Sequence, residues 1–533
     1  MVLTPVAALV VIALGGDGAV WRHLFANVLP SVVPTTAILL AGGGVVAVAV
    51  GTASAWLVTA YDFRGRRILD WALLLPLAVP TYVVAFAYLD LLHPIGPVQT
   101  AIRHLLGIAD PRGLRLPDIR SLPGAILLFG LVLYPYVYLT TRALFLMQAA
   151  GLIEAARTLG AGRQRVFFRV ALPLARPAIA VGASLALMET LNDVGASEFL
   201  GIRTMTLSVY STWVNQSNLA GAAGIALFLL AVVVALVFLE RVARRSQRYA
   251  APTQRPHVPA RKRLTGARAF LALLSGAAPI LLGFLIPAAH LVNQTMQRIS
   301  FAGISDAIVA ETINTLAVST IATLVALAFG LVVAYAARLD QGRRGATLVR
   351  LASLGYALPG TVLAIGLLIP LAGLDNLVDG WSRRAFGIST GLLMSGSLAI
   401  LVYAYVARFL AIAAGGIEAG FDKIAPSLDH SARTLGRTAA GALRAVHLPL
   451  IRPALAAAAI LVFVDCMKEL PATLLLRPLN FETLATHLYG EAARGTYEDG
   501  AIAALAIVVA GLVPVALLAR LSRPAVRART PTP

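Results

Sequence analysis

A dozen long apolar runs constrain this chain more than any other feature. They fall near 2–16, 33–60, 69–92, 123–147, 174–193 and 219–239, then near 269–293, 314–337, 348–373, 387–412, 450–470 and 501–520. Runs of about 20 mostly apolar residues are what a bilayer span requires. Lipid cannot hydrogen-bond the backbone, so each run must be a helix. With 59% hydrophobic and only 13% charged residues, a soluble fold is excluded. The expected class is an all-α membrane protein of about 12 transmembrane helices. Met1 to Gly16 lacks a basic stretch and a small-residue cleavage site, so it reads as a short, uncleaved first helix.

The net charge of +19 comes from arginines clustered between the apolar runs, with no basic stripe interleaved with stacking aromatics. Nucleic acid is therefore not an expected partner, whereas the bilayer is. Basic loops stay cytoplasmic, which places Arg64 to Arg67, Arg343-Arg344, the segment 241–268 and the tail 523–533 on that side, together with both termini. The segment 241–268 holds Arg244-Arg245, three prolines and Arg261-Lys262-Arg263, and is the boundary between domains 1–240 and 269–522. The single cysteine, Cys466, can form no intrachain disulfide, and no cofactor or stable metal site is expected.

The two halves repeat. Arg157-Thr158-Leu159-Gly160 recurs as Arg433-Thr434-Leu435-Gly436, Leu172-Pro173-Leu174 as Leu448-Pro449-Leu450, and Arg176-Pro177-Ala178 as Arg452-Pro453-Ala454, at one constant offset. Gly51 and Ala55 match Gly330 and Ala334. Both halves keep one orientation, so they are expected around a pseudo-two-fold axis along the membrane normal.

After the fourth run of the first half stand Glu154-Ala155-Ala156, Gly160, Val170 and Leu172-Pro173. This spacing resembles the EAA loop of bacterial ABC importer permeases, here 154–173. The second copy, 430–449, keeps Ala432, Gly436, Val446, Leu448 and Pro449 but begins His430-Ser431. That departure puts equal coupling of the two halves in doubt. An amphipathic helix lying across the membrane face is expected in each copy. The resemblance implies that these loops dock on a pair of ABC ATPase subunits. Glu491-Ala492-Ala493 lacks the spacing and is set aside.

The stretches Val464 to Pro478, Asn480 to Thr486, Leu187 to Asp193 and Leu133 to Leu139 resemble the fused two-domain permeases of ferric-iron ABC importers. The resemblance implies a conduit, fed by a periplasmic substrate-binding protein in the bacterial inner membrane. Related fused permeases carry thiamine or phosphonate, so the solute stays open. No phosphate-binding loop G-x-x-x-x-G-K-[ST] occurs, so ATP hydrolysis is expected in a separate subunit and the chain is not itself an enzyme. A proton-coupled secondary transporter is the rival plan, for which Asp62 to Arg67 is a partial loop match.

Glu189 and Asp193 are four apart on one expected helix face, and Asp465 and Glu469 are their equivalents. Counting from Pro173 puts Glu189 close to the outer surface. Intramembrane carboxylates commonly face a cavity, so these four are candidate pathway residues, with pairing to Lys468 or Arg203, or hydrogen bonds that hold helices together, as the plainer reading. Tyr134, Tyr136 and Tyr138 read as packing aromatics, and His430 and His447 as interfacial.

Overall fold

The computed structural model describes residues 3–108, 110, 112–245, 261–340 and 342–521, without the side chains of 147–155, 157, 163, 241, 243–245, 343, 346 and 518–521. Among them, ten helices are long and apolar enough to cross a membrane. Arg66–Ala78 and Thr81–Leu91, which meet at 90°, make eleven if the bent pair counts as one span. The first apolar run forms only the 12-residue helix Leu3–Leu14, about 18 Å long at 1.5 Å per residue, against a hydrocarbon core of about 30 Å. Six elements per half therefore persist, but the first is no full span.

Prolines set the breaks. Pro80 and Pro359 occupy equivalent positions and stand as N-caps of Thr81–Leu91 and Gly360–Phe386. The run read as one helix at 348–373 is accordingly split into Arg343–Ala357 and Gly360–Phe386. Four other prolines are absorbed differently. Leu24–Val28, Phe167–Ala171, Leu281–Leu285 and Leu443–His447 are π-helical turns. Each is followed directly by Leu29-Pro30, Leu172-Pro173, Ile286-Pro287 or Leu448-Pro449. A proline ring clashes with the carbonyl four residues back, and a widened turn at that carbonyl lets the helix continue.

Small residues bring the helices together. A Cβ on Gly51 would lie 2.8 Å from the Tyr134 carbonyl oxygen and 2.8 Å from Val137 Cβ; one on Gly330 would lie 2.9 Å from Ala413 Cβ. Each half also lends its first helix to the other. Leu3–Leu14 packs on Gly360–Phe386, and the segment Gly266–Ala302 packs on the first half. There Tyr88 donates to the Leu282 carbonyl at 2.6 Å, and His290 Nε2 lies 2.8 Å from Asp90 Oδ2. The described end of the interdomain linker adds a parallel two-residue bridge, Tyr61–Asp62 with Lys262–Arg263. The rest of that linker, 246–260, and the tail from 522 lie outside the described residues.

Candidate functional site

The two EAA copies lie at equivalent chain reversals. Gly160 and Gly436 have φ of +81° and +73°, the left-handed region glycine reaches without steric cost. Each turns the chain toward the following Leu-Pro helix. The residue just before each glycine is left bare: Leu159 is 87% and Leu435 81% exposed. A large apolar side chain at the tip of both turns is what a partner groove would bury.

The expected separate helix forms in one copy only. In the first half Leu122–Thr158 runs unbroken through Glu154, Ala155 and Ala156; the Glu154 and Ala155 side chains are outside the described set. In the second, Leu398–Phe421 ends and a new helix, Pro426–Thr434, carries His430, Ser431 and Ala432. The difference follows from Pro426, which starts helices but does not continue them; its first-half equivalent is Ala150. His430 and Ser431 are exposed and Ala432 is buried. Leu172 and Pro173, like Leu448 and Pro449, open the next span.

Around the equivalent pairs Trp56 and Tyr335, Phe145 and Phe421, the two turns are fastened by different chemistry. In the first half Trp56 meets Phe145 and Phe167, with ring centroids 5.4 and 5.1 Å away. In the second, Tyr335 meets Phe421 and His447 at 5.8 and 5.5 Å. His447 is not interfacial but fully buried, with Nε2 2.7 Å from Asp429 Oδ1. Arg338 donates to Asp429 at 2.6 Å and to the Phe421 carbonyl at 2.7 Å. Burial alone would raise the Asp429 carboxyl, but the Arg338 hydrogen bond and charge, with His447 behind them, hold it below its ordinary value.

Glu189, Asp193, Asp465 and Glu469 come together, two from each half, around one cavity of about 90 Å³ between the halves. Thr81, Tyr82, Tyr136, Tyr356, Asn192, Arg408 and Lys468 complete its polar lining. The Thr206 hydroxyl donates to the Leu191 carbonyl, so Leu191 is level with the start of Met205–Val214. That ten-residue helix adds about 15 Å before the chain turns back at Leu219. The carboxylates therefore lie at the level of the proline breaks, since Pro76, Pro80 and Thr81 share the lining.

Their partners differ. Glu469 is 4% exposed and takes Arg408 Nη1 at 2.7 Å, the Thr473 N–H at 3.1 Å and the Thr473 hydroxyl at 2.9 Å. Asp465 pairs with Lys468 Nζ at 2.8 Å. Glu189 accepts the Tyr356 hydroxyl, at 3.0 Å. Asp193 caps Val194–Phe199 by accepting from the Ala196 N–H at 2.7 Å. Among the described residues neither Glu189 nor Asp193 has an ion-pair partner. The ion pair expected at Lys468 is thus present, but with Asp465 and not with Glu469.

A model of the family described as "Binding-protein-dependent transport system inner membrane component" matches this chain twice, over 46–248 and 326–528. The chain belongs to that family. Along 93% of its length the permease is 24% identical to an Fe(3+)-transport system permease protein of Haemophilus influenzae, covering 90% of that protein. Shorter similarities, each over 36% of the permease, link it to the molybdenum transport system permease protein ModB of Escherichia coli (32% identity, 84% of that protein) and to a putative 2-aminoethylphosphonate transport system permease protein of Salmonella choleraesuis (28%, 68%).

The permease has cavity residues that sequence reasoning passed over. Arg408 is a lone charge inside an apolar run, a signal that was available. Tyr136 lines the cavity, while Tyr134 and Tyr138 are buried on the opposite face. Tyr138 donates to Asp70 at 3.0 Å, and Asp70 also takes Arg142 Nε at 2.5 Å. Tyr356 stands next to a proline break and had no visible partner in the sequence.

Proposed function

We propose that this permease conducts ferric iron inward through the central cavity, using ATP hydrolysed by a separate ATPase pair docked on Leu159 and Leu435 and cargo delivered by a periplasmic binding protein. The observation that carries the sign of the cargo is the pair Glu189 and Asp193. Two carboxylates without an ion-pair partner are costly inside a bilayer, and their hard oxygens suit a hard cation. The lining holds four carboxylates against Lys468 and Arg408, an excess that disfavours molybdate- or phosphonate-like anions. The full-length similarity to an Fe(3+)-transport permease supports the same reading.

The test is uptake by the reconstituted complex. Glu189→Gln with Asp193→Asn keeps shape and removes charge. Ferric uptake from a loaded binding protein should fall about tenfold or more, equivalent to about 1.4 kcal/mol on the barrier, while ATP hydrolysis stimulated by the loaded binding protein persists. Unchanged uptake would reject the cation role.

The coupling turns face the cytoplasm in this reading, as their arginines require. A membrane-impermeant thiol reagent should label Ser431→Cys, in a Cys466→Ser background, only after cells are permeabilised. Labelling of intact cells would invert the topology.

A further inference from the structure

The repeat can be followed beyond the cavity residue by residue. The Met205 N–H donates to Thr36 Oγ1 at 3.0 Å, and the Leu484 N–H donates to Thr315 Oγ1 at 2.9 Å. Thr204 and Thr483 cap the two helices, accepting from the Leu207 and Thr486 N–H groups. The helices Met205–Val214 and Leu484–Arg494 are therefore equivalent, in the same register as Gly51 and Gly330. Tyr210 and Tyr489 are equivalents within them, each five residues past the first.

These two tyrosines touch. Their ring centroids are 6.0 Å apart at an interplanar angle of 80°, an edge-to-face arrangement. A residue that meets its own symmetry equivalent lies on the axis relating them. Phe199 stacks on the other side of Tyr489, at 5.8 Å. The Tyr489 hydroxyl is held by Glu198 of the opposite half. Below this layer, Leu470 and Val194 are also equivalents and both line the cavity. From the cavity residues Val194 and Leu470 the chain leads through Val194–Phe199 to Met205–Val214 and through Pro471–Leu476 to Leu484–Arg494, so in both halves the tyrosine lies one helix beyond the cavity.

We infer that Tyr210 and Tyr489 are the outer gate of the permease: their edge-to-face contact closes the axial route between the binding protein and the central cavity, and must part for cargo to enter. The Glu198 bond to Tyr489 is a latch across the halves. The inference rests on the orientation proposed above but not on the identity of the cargo.

Two readouts test it, both in the full complex with Cys466→Ser, which removes the only thiol. First, Tyr210→Cys with Tyr489→Cys is treated with a short, reducible bifunctional thiol reagent. Uptake should stop once the two are linked, and a reductant should restore it; neither single variant should respond. Sustained uptake by fully linked protein overturns the gate. Second, Asn192→Cys places a thiol on the cavity lining. An impermeant reagent added from outside, in the nucleotide-free complex, should label it at least tenfold faster when Tyr210→Ala and Tyr489→Ala are also present. Equal rates with and without the tyrosines overturn the gate, whatever the fate of the double-cysteine variant. Failure here leaves the Glu189 and Asp193 result untouched, because that result concerns charge and not access.

Discussion

Leu159→Glu together with Leu435→Glu should release the ATPase from the permease and reduce uptake to background. Each leucine is an apolar side chain more than four-fifths exposed at the apex of a reversal, and a buried interface anchor is worth about 2 kcal/mol or more. A charge in its place adds the cost of desolvating a carboxylate. Neither leucine contributes to the core, so the double variant should reach the membrane and unfold at the parental temperature. Co-purification of the ATPase with tagged permease is the measurement. Retention at the parental ratio would show that the turns are not the docking points. The single variants address the asymmetry of the two copies. Leu159 directly follows a 37-residue helix, whereas Leu435 follows a short helix held by Arg338, Asp429 and His447. The first-half change should be the more damaging.

Arg408→Met should destabilise the detergent-solubilised permease by about 3 kcal/mol or more, because removing one partner of a buried pair strands the other charge. Glu469 is enclosed tightly enough that a Cβ on Gly360 would lie 2.6 Å from its Oε1, so little water can replace the guanidinium. Adding Glu469→Gln to Arg408→Met should recover most of the loss. Thermal unfolding of the two variants gives the comparison. A single variant within about 1 kcal/mol of the parent would mean that the pair is solvated and the cavity more open than its walls indicate.

The architecture was legible because a bilayer leaves few options. Apolar runs gave the helices, and a constant offset the two halves. The two chain reversals at Gly160 and Gly436 were legible because glycine at positive φ and the Leu-Pro that follows leave their mark in the sequence itself. The carboxylates of the cavity could be named from helical spacing and symmetry, since Glu189 and Asp193 match Asp465 and Glu469. Their depth could not be read. It depends on Leu172–Asn192 ending below the far face and handing over to Val194–Phe199 and Met205–Val214, breaks that hydropathy averages away. The partners Tyr356 and Arg408 were hidden for a related reason. They come from helices whose place beside the carboxylates is decided by tertiary packing, and the repeat gave no warning because their first-half equivalents are Leu77 and Val132.

That last mismatch has an electrical consequence. A transporter built from two identical chains must show every charge twice, so any sideways field on its axis cancels. Here, among the described residues, the wall formed by the first half carries Glu189 and Asp193 without ion-pair partners, while on the opposing wall Arg408 and Lys468 are matched by Glu469 and Asp465. The resulting imbalance, a charged wall facing a neutral one, lies across the cavity from one half to the other. A cation on the axis at the level of this cavity would be drawn toward the first half's wall, and covalent joining of the two halves lets such a bias be inherited as a unit.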